Sequence, residues 1–440
     1  MVEPQDLVVK TLGPCRIDSP LAARLNGRGP TMHNVDESDR VLFDDKVSVL
    51  LERRCGIDNM PAFEPAGPRK KIFFDPSKTR VGIVTCGGLC PGINDVVRAL
   101  VMELCTHYGV KRIHGFCNGF QGFVPRFGRA VMDLTPESVS DINDAGGTVL
   151  GTSRGQQDAA EVVDCLERMS INIVFIIGGD GTIRGALNIA AEIAQRGEKI
   201  GVVGIPKTID NDIMYIDHSF GFQTAFSEAA KVIRLAHVEA KSAPNGVGLV
   251  KLMGRQSGFI ACYASLPIND ADFVLIPEVP FRLEGERGLL AAIRRRIEQR
   301  GHAVIVAAEG AGQDLCGSAS SQTDASGNPR LHDVGLLLKQ RITEDFASRG
   351  QELNLKYIDP SYTIRSVPAN AYDSGYCIRL AHSAVHAAMC GRTEMLVGRW
   401  HGRFVHVPMQ LAIRERNTVD PHGDLWDAVL ESTGQPRAFE

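Results

Sequence analysis

Apolar and polar positions along this chain fall into two recurring patterns. From residue 81 onward, short apolar runs bounded by glycine, proline or aspartate alternate with longer stretches whose apolar positions return every three or four residues. The short runs predict strands at 81–85, 113–116, 173–177, 200–205, 246–251, 273–276 and 303–307. The longer stretches predict helices at 93–105, 159–169, 184–196, 223–240 and 376–390. Strands that alternate with helices are the pattern of parallel α/β architecture. Residues 1–80 carry Gly-Pro pairs, the cluster Arg69-Lys70-Lys71 and little regular period, and read as an N-terminal extension wrapped on the body. Residues 311–333, rich in Ser, Gly and Asp, read as a polar loop, and residues 411–440 as tail helices.

Composition narrows the class. At about 150 residues per domain, 440 residues suggest two or three domains. Hydrophobic residues at 44% and charged residues at 23% match an ordinary globular chain, long enough to bury large cores without disulfides or metals. A net charge of -4 provides no field for nucleic acid or an anionic membrane, so any anion site must be built locally. The eleven cysteines lie scattered, many inside apolar runs, without zinc-site spacing; they read as buried thiols of a reducing cytosol. The start MVEPQDLVVK has no basic-then-apolar signal region, and no apolar run approaches the roughly 20 residues of a membrane span. A cytoplasmic location is therefore the expectation.

Three glycine turns carry the candidate chemistry. The first strand runs into Cys86-Gly87-Gly88-Leu89-Cys90-Pro91-Gly92, followed by a helix. Glycines let a backbone approach a phosphate, and the next helix offers free N–H groups; plain chain reversal is an equally good reading. The second turn, Gly178-Gly179-Asp180-Gly181-Thr182, sets an acid at a strand end among glycines. It is neither a P-loop nor a dinucleotide fingerprint. A carboxylate beside a glycine cradle suits a magnesium ion bridging phosphates, and it equally suits a helix cap. The third turn, Pro206-Lys207-Thr208-Ile209-Asp210-Asn211-Asp212, sets Thr208, Asp210 and Asp212 at alternate positions, which would share one direction if the segment is extended. Paired carboxylates beside a lysine allow one to take a proton from a hydroxyl while the other serves metal or orientation; an Asx-rich turn is the structural alternative.

Taken in order, GGLCPGIN, GTVLGTSRG, GGDGT, PKTIDND, KLMGR, AEG and YTIR resemble the phosphofructokinases, over roughly residues 65–408. The forms KIFFDPSK, GTSRG and IDPSYTIR look most like the longer ATP-dependent members of plants and trypanosomatids. The resemblance implies two doubly wound Rossmann-like α/β domains with the active site in the cleft between them, plus the N-terminal extension. The nucleotide domain would span 81–222 and regain about 370–410; the fructose 6-phosphate domain would span 223–369. It also implies phosphoryl transfer from MgATP to the 1-hydroxyl of fructose 6-phosphate, by a homodimer or homotetramer.

Roles follow by resemblance. Asp210 is similar to the catalytic base, with Thr208 and Asp212 as its partners and Arg154 on the moving phosphoryl group. Asp180 is similar to the Mg2+-associated carboxylate. Gly88, Arg154, Gly155, Gly181, Thr182 and Gly185 match nucleotide-binding positions, and Met253, Gly254, Arg255, Glu309, Tyr362 and Arg365 match the sugar-phosphate site. The chemistry agrees, since phosphoryl transfer rests on positioning and charge neutralisation and guanidinium forks match phosphate geometry. Two positions divide the family by donor. Gly181 after the GGD acid favours ATP, whereas Lys207 before TIDND is shared with pyrophosphate users; the reversible pyrophosphate-linked reaction is the alternative. A carboxylate at 181 would repel a nucleotide phosphate by roughly 4 kcal/mol at 4 Å and an effective dielectric of 20. The chain departs from its long relatives at Gln156 and Gln157, beside the presumed nucleotide loop.

Overall fold

A computed structural model describes residues 2–21, 34–53, 56, 59–317 and 330–440. The chain divides into two compact units. The first is Met1–Thr208, Ile213–Gly221 and Val367–Arg416; the second is Ile209–Asp212, Phe222–Ser366 and Asn417–Glu440.

The first unit is built on a sheet that has nine strands among the described residues. At its centre run Arg112–Phe116, Arg80–Thr85, Ile173–Gly178, Gly201–Pro206 and Met395–Trp400, all parallel. Their near-continuous Val and Ile content follows from burial on both faces, which parallel strands require. The helices between them, among them Ile93–Met102, Ala159–Arg168 and Asp180–Gln195, bury one side each against the sheet. The expected parallel sheet is present and also carries antiparallel edge strands. Arg403–Pro408 folds back antiparallel on Met395–Trp400, and Ala62–Pro65 and Val41–Leu42 extend the same edge. Two short pieces of the N-terminal segment thus join the sheet: Phe63 is fully buried, and the rings of Phe43 and Trp400 stack at 5.7 Å. The physical reason is edge protection, because Arg403–Pro408 would otherwise leave a row of backbone donors and acceptors unpaired.

The second unit is a four-stranded parallel sheet in the order Phe273–Leu275, His302–Ala308, Gly246–Leu252, Asn354–Ile358. Its core packs Leu249, Phe273, Ile293, Ile305, Leu338 and Ile342. The last helix, Asp424–Thr433, buries Trp426 and Val429 and belongs to this unit. The strand Asn354–Ile358 and the helices Leu289–Arg300 and Val334–Ser348 were not among the expected elements. Part of the expected polar loop, 318–329, lies outside the described residues; ahead of it Gln313–Cys316 forms a short 3-10 turn. The helix expected at 93–105 stays α-helical to Met102 and continues to Tyr108 as a wider π turn.

Candidate active site

In the first unit the phosphate-type loops all lie at the carboxyl ends of parallel strands, and hydrogen bonds tie them to one another. After Arg80–Thr85, the backbone N–H of Gly87 donates to Ser153 O at 3.0 Å, and the Thr152 hydroxyl donates to Gly87 O at 2.7 Å. This places the loop bearing the exposed Arg154 and Gly155 against the first glycine turn. After Gly201–Pro206, Lys207 N–H donates to Gly178 O at 3.0 Å, and its buried ammonium donates to Gly88 O at 2.7 Å. Lys207 thus links all three turns, and only the fold reveals that bracing role. The Ser219 hydroxyl donates to Thr208 O and anchors the end of this strand.

Asp180 opens the helix Asp180–Gln195, where a carboxylate is stabilised by the positive end of the helix dipole. Its oxygens lie 3.3 Å from Arg184, one turn on, and 3.5 Å from Arg416. Gly181 is exposed, and a Cβ there would meet no atom within 4 Å, so the space beyond it is open to a ligand. Thr182 is buried and packs on Gly178. Gly185 is buried, and a Cβ there would come within 2.8 Å of the Phe120 ring, so the residue also has a helix-packing place. Gln156 accepts from Asn188 and Gln157 from Arg126, both on the rim of the Arg154 loop.

The second unit holds the sugar-phosphate candidates. Asp210 O accepts from the Ser257 hydroxyl at 2.8 Å, and Asp212 O from Asn417 N–H at 3.0 Å. The alternate-direction geometry expected of Thr208, Asp210 and Asp212 does not hold: the chain bends at 209–210, and Asn211 takes the left-handed conformation at φ 56°. Such a break suits Asn, whose short side chain tolerates that region. Gly254, at φ 124°, brings its carbonyl to Gly310 N–H at 3.1 Å, and a Cβ on Gly310 would collide with Arg255 O at 1.9 Å. This crossing sets Arg255 beside Glu309. Burial pushes the Glu309 carboxyl above its usual range, and the charges of Arg255, Lys251 and Arg365 oppose that shift. Arg365 lies 4.8 Å over the ring of Tyr362, which is 75% exposed, and Met253 is half-buried.

Several residues here carried no signal of their own in the sequence. Lys251 pairs with Asp359 at 2.7 Å and Asp333 at 3.3 Å; burial works against its charge, but Asp359 and its neighbours hold it firmly protonated. Arg184 and Arg416 reach Asp180, and Arg416 comes from the far end of the chain, where no spacing could announce it.

The phosphofructokinase family profile matches residues 80–388. The chain belongs to the phosphofructokinase family. It is 54% identical to a protein of Amycolatopsis methanolica named ATP-dependent 6-phosphofructokinase, covering 99% of this chain and 96% of that one. A Trypanosoma cruzi protein of the same name is 42% identical over 93% of this chain and 86% of its own length. ATP-dependent 6-phosphofructokinase 7 of Arabidopsis thaliana is 52% identical over 85% and 77%. Among solved structures, the pyrophosphate-dependent phosphofructokinase of Nitrosospira multiformis superposes with a TM-score of 0.66 over 81% of this chain and 92% of that one, at 17% identity; this likeness bears on the fold alone. The phosphofructokinase fold, with α/β units whose loops gather at strand ends, is the frame in which the residues above sit. No described helix is long and apolar enough to cross a membrane.

Proposed function

We propose that this protein is an ATP-dependent 6-phosphofructokinase, transferring the terminal phosphoryl group of MgATP to the 1-hydroxyl of fructose 6-phosphate. The observation that carries the reading is the set of interlocked glycine turns in the first unit, on a chain that matches ATP-dependent relatives over nearly its whole length. The donor side is Gly88, Arg154, Gly155, Asp180, Gly181 and Thr182; the acceptor side is Met253, Gly254, Arg255, Glu309, Tyr362 and Arg365. The chain passes from the first unit to the second at Thr208–Ile209, so Asp210 stands four residues along the chain from Pro206, where the donor-side strand ends.

In this reading Asp210 accepts the proton of the 1-hydroxyl as the oxygen attacks, with Thr208 and Asp212 holding its orientation. Arg154, exposed on its loop, hydrogen-bonds the equatorial oxygens as charge moves from donor to acceptor. Arg255 and Arg365 grip the sugar phosphate, and Glu309 accepts from sugar hydroxyls. The residues fit a magnesium ion: Asp180 opens its helix beside the open space at Gly181, and magnesium takes one or two carboxylates with phosphate oxygens and water. Asp180 would hold it, and the ion would supply charge neutralisation on the phosphates. Lys207 braces the turns and can neutralise phosphate from either donor. A homodimer or homotetramer acting in the cytoplasm completes the proposal.

The deciding experiment is a coupled assay for fructose 1,6-bisphosphate with fructose 6-phosphate and Mg2+, run with ATP and with pyrophosphate in parallel. Turnover with ATP at least a hundredfold above pyrophosphate is expected. Turnover with pyrophosphate alone would replace this reading by the reversible pyrophosphate-linked reaction.

A further inference from the structure

The first unit contains a cavity of about 810 Å³ whose lining shares none of the proposed phosphoryl-transfer residues. Four cations line it, Arg69, Lys70, Lys71 and Arg392, with the carboxylates Asp36 and Glu37; Arg69 and Arg392 both pair with Glu37 and with Glu64, and Lys71 pairs with Asp18 at 3.7 Å, so the cavity's positive excess is modest. Cys15 lies in its wall and is half-buried.

The local pairing explains what stands beside Cys15. Lys10–Thr11 runs antiparallel to Arg392–Thr393, and Leu12 N–H donates to Gly391 O at 2.9 Å. The chain leaving that short ladder therefore meets the end of the helix Ala371–Met389. The Cys15 thiol donates to Cys390 O at 3.3 Å, the Cys390 thiol donates to Lys71 O at 3.6 Å, and Arg392 Nη1 is 4.0 Å from Cys15 Sγ. The neighbouring Cys390 and the charge of Arg392 lower the Cys15 thiol from 9.0 to about 7, against burial and the charge of Glu37. Cys390 is pushed the other way by Cys15 and by burial, and stays a thiol. One thiol of the pair is thus reachable and partly ionised at neutral pH, while its neighbour is buried and held in reserve. That is the division of labour of an attacking and a resolving cysteine.

We propose that Cys15 is a modification site that exchanges with small anionic disulfides entering this basic cavity, and that Cys390 resolves the adduct into a Cys15–Cys390 disulfide. In the first step the Cys15 thiolate attacks one sulfur of the small disulfide. A bond forms between Cys15 and that sulfur, the small disulfide's S–S bond breaks, and the departing thiolate takes a proton from solvent. In the second step Cys390 loses its proton and attacks Cys15 Sγ, expelling the remaining small thiol. The two protein thiols are oxidised by two electrons and one small disulfide is reduced to two thiols. The cations supply the preference for carboxylate-bearing disulfides over neutral ones. The inference does not depend on the phosphotransfer reading.

The test uses the full-length protein with oxidised glutathione as the anionic probe and hydroxyethyl disulfide as the neutral one, followed by acid quench and peptide mapping. The wild-type protein is expected to yield a Cys15–Cys390 linked peptide. Cys390→Ala is expected to accumulate glutathione on Cys15, and Cys15→Ala to leave Cys390 unmodified. The anionic probe should react about tenfold faster than the neutral one, with the gap closing in high salt. Alkylation of Cys15 in the wild-type protein, which needs no variant to fold, should show a pH midpoint near 7. A midpoint near 9, equal rates for the two probes, or modification at other cysteines in place of Cys15 would each overturn the proposal.

Discussion

In the proposed function Asp210 and Glu309 are both carboxylates of the acceptor side, Asp210 as the base, and their surroundings suit them to different work. Asp210 sits at a chain bend with its backbone held by Ser257. Replacing it by Asn keeps the shape and removes the base. Asp210→Asn is expected to lower kcat by about 10²–10⁴-fold while fructose 6-phosphate binding, measured by calorimetry, changes less than threefold. Loss of binding together with loss of the folding transition would show a structural role instead. Glu309 is raised by burial, so the folded state binds its proton more tightly than the unfolded state does. The sign follows: this group's contribution to stability falls as pH rises from the unfolded value of 4.5 through the raised folded value. Glu309→Gln should therefore gain on the wild type in melting temperature as pH increases across that window, while its affinity for fructose 6-phosphate drops about tenfold. A melting difference that stays flat with pH would contradict the burial argument.

The helix Asp180–Gln195 shows how one element divides its residues between ligand and core. Gly181 and Gly185 are one turn apart and look alike in the sequence, but the first faces open space and the second faces Phe120. Gly181→Asp should fold as the wild type does, since its side chain meets nothing and an acid suits a helix start. Its KM for ATP should rise at least tenfold. Gly185→Ala should leave the KM for ATP within about twofold but destabilise the protein by about 1–3 kcal/mol, because its methyl overpacks the Phe120 contact. Equal effects of the two substitutions on KM would overturn this division. The glycine turns themselves were legible because close approach of backbone to phosphate demands glycine, whatever the wider fold. The hairpin Met395–Trp400 and Arg403–Pro408 was not read, although its two-residue turn His401-Gly402 is local; its outer partners, at Val203 and Pro65, lie hundreds of residues away and leave no mark on the spacing. The break at Asn211 escaped for a related reason: alternation of Thr208, Asp210 and Asp212 marks a strand only while every residue between keeps an extended backbone.

At the scale of the whole molecule, the long helix Ala371–Met389 of the first unit sets the buried His386 and the half-buried His382 beside Glu103 and His107. His386 bonds the Tyr108 hydroxyl at 2.8 Å, and Glu103 lies beside His107, His382 and His386. Burial, with His382 and His107 nearby, lowers His386 from 6.5 to about 3. The unfolded chain therefore takes up this proton first, and stability present above pH 6.5 is lost as pH falls toward about 3. At pH 5 the loss from this group is about 2 kcal/mol. His386→Asn, whatever it costs at pH 7, should show a smaller drop in unfolding free energy between pH 7 and pH 5 than the wild type. An equal drop would place the acid sensitivity elsewhere.

The sequence by itself determined the class of chemistry and the family, because GGLCPGIN, GGDGT, PKTIDND and their companions are local solutions to a local demand: backbone, carboxylate and guanidinium placed within a few residues of a strand end. It also determined most of the buried strands, whose apolar runs report burial directly. Only the tertiary structure decided which residues share each unit, that Arg416 reaches Asp180, that Lys207 braces three turns, and that Cys15 meets Cys390. Those relations join positions tens to hundreds of residues apart, and no spacing along a chain encodes a contact whose distance is set by how strands and helices pack.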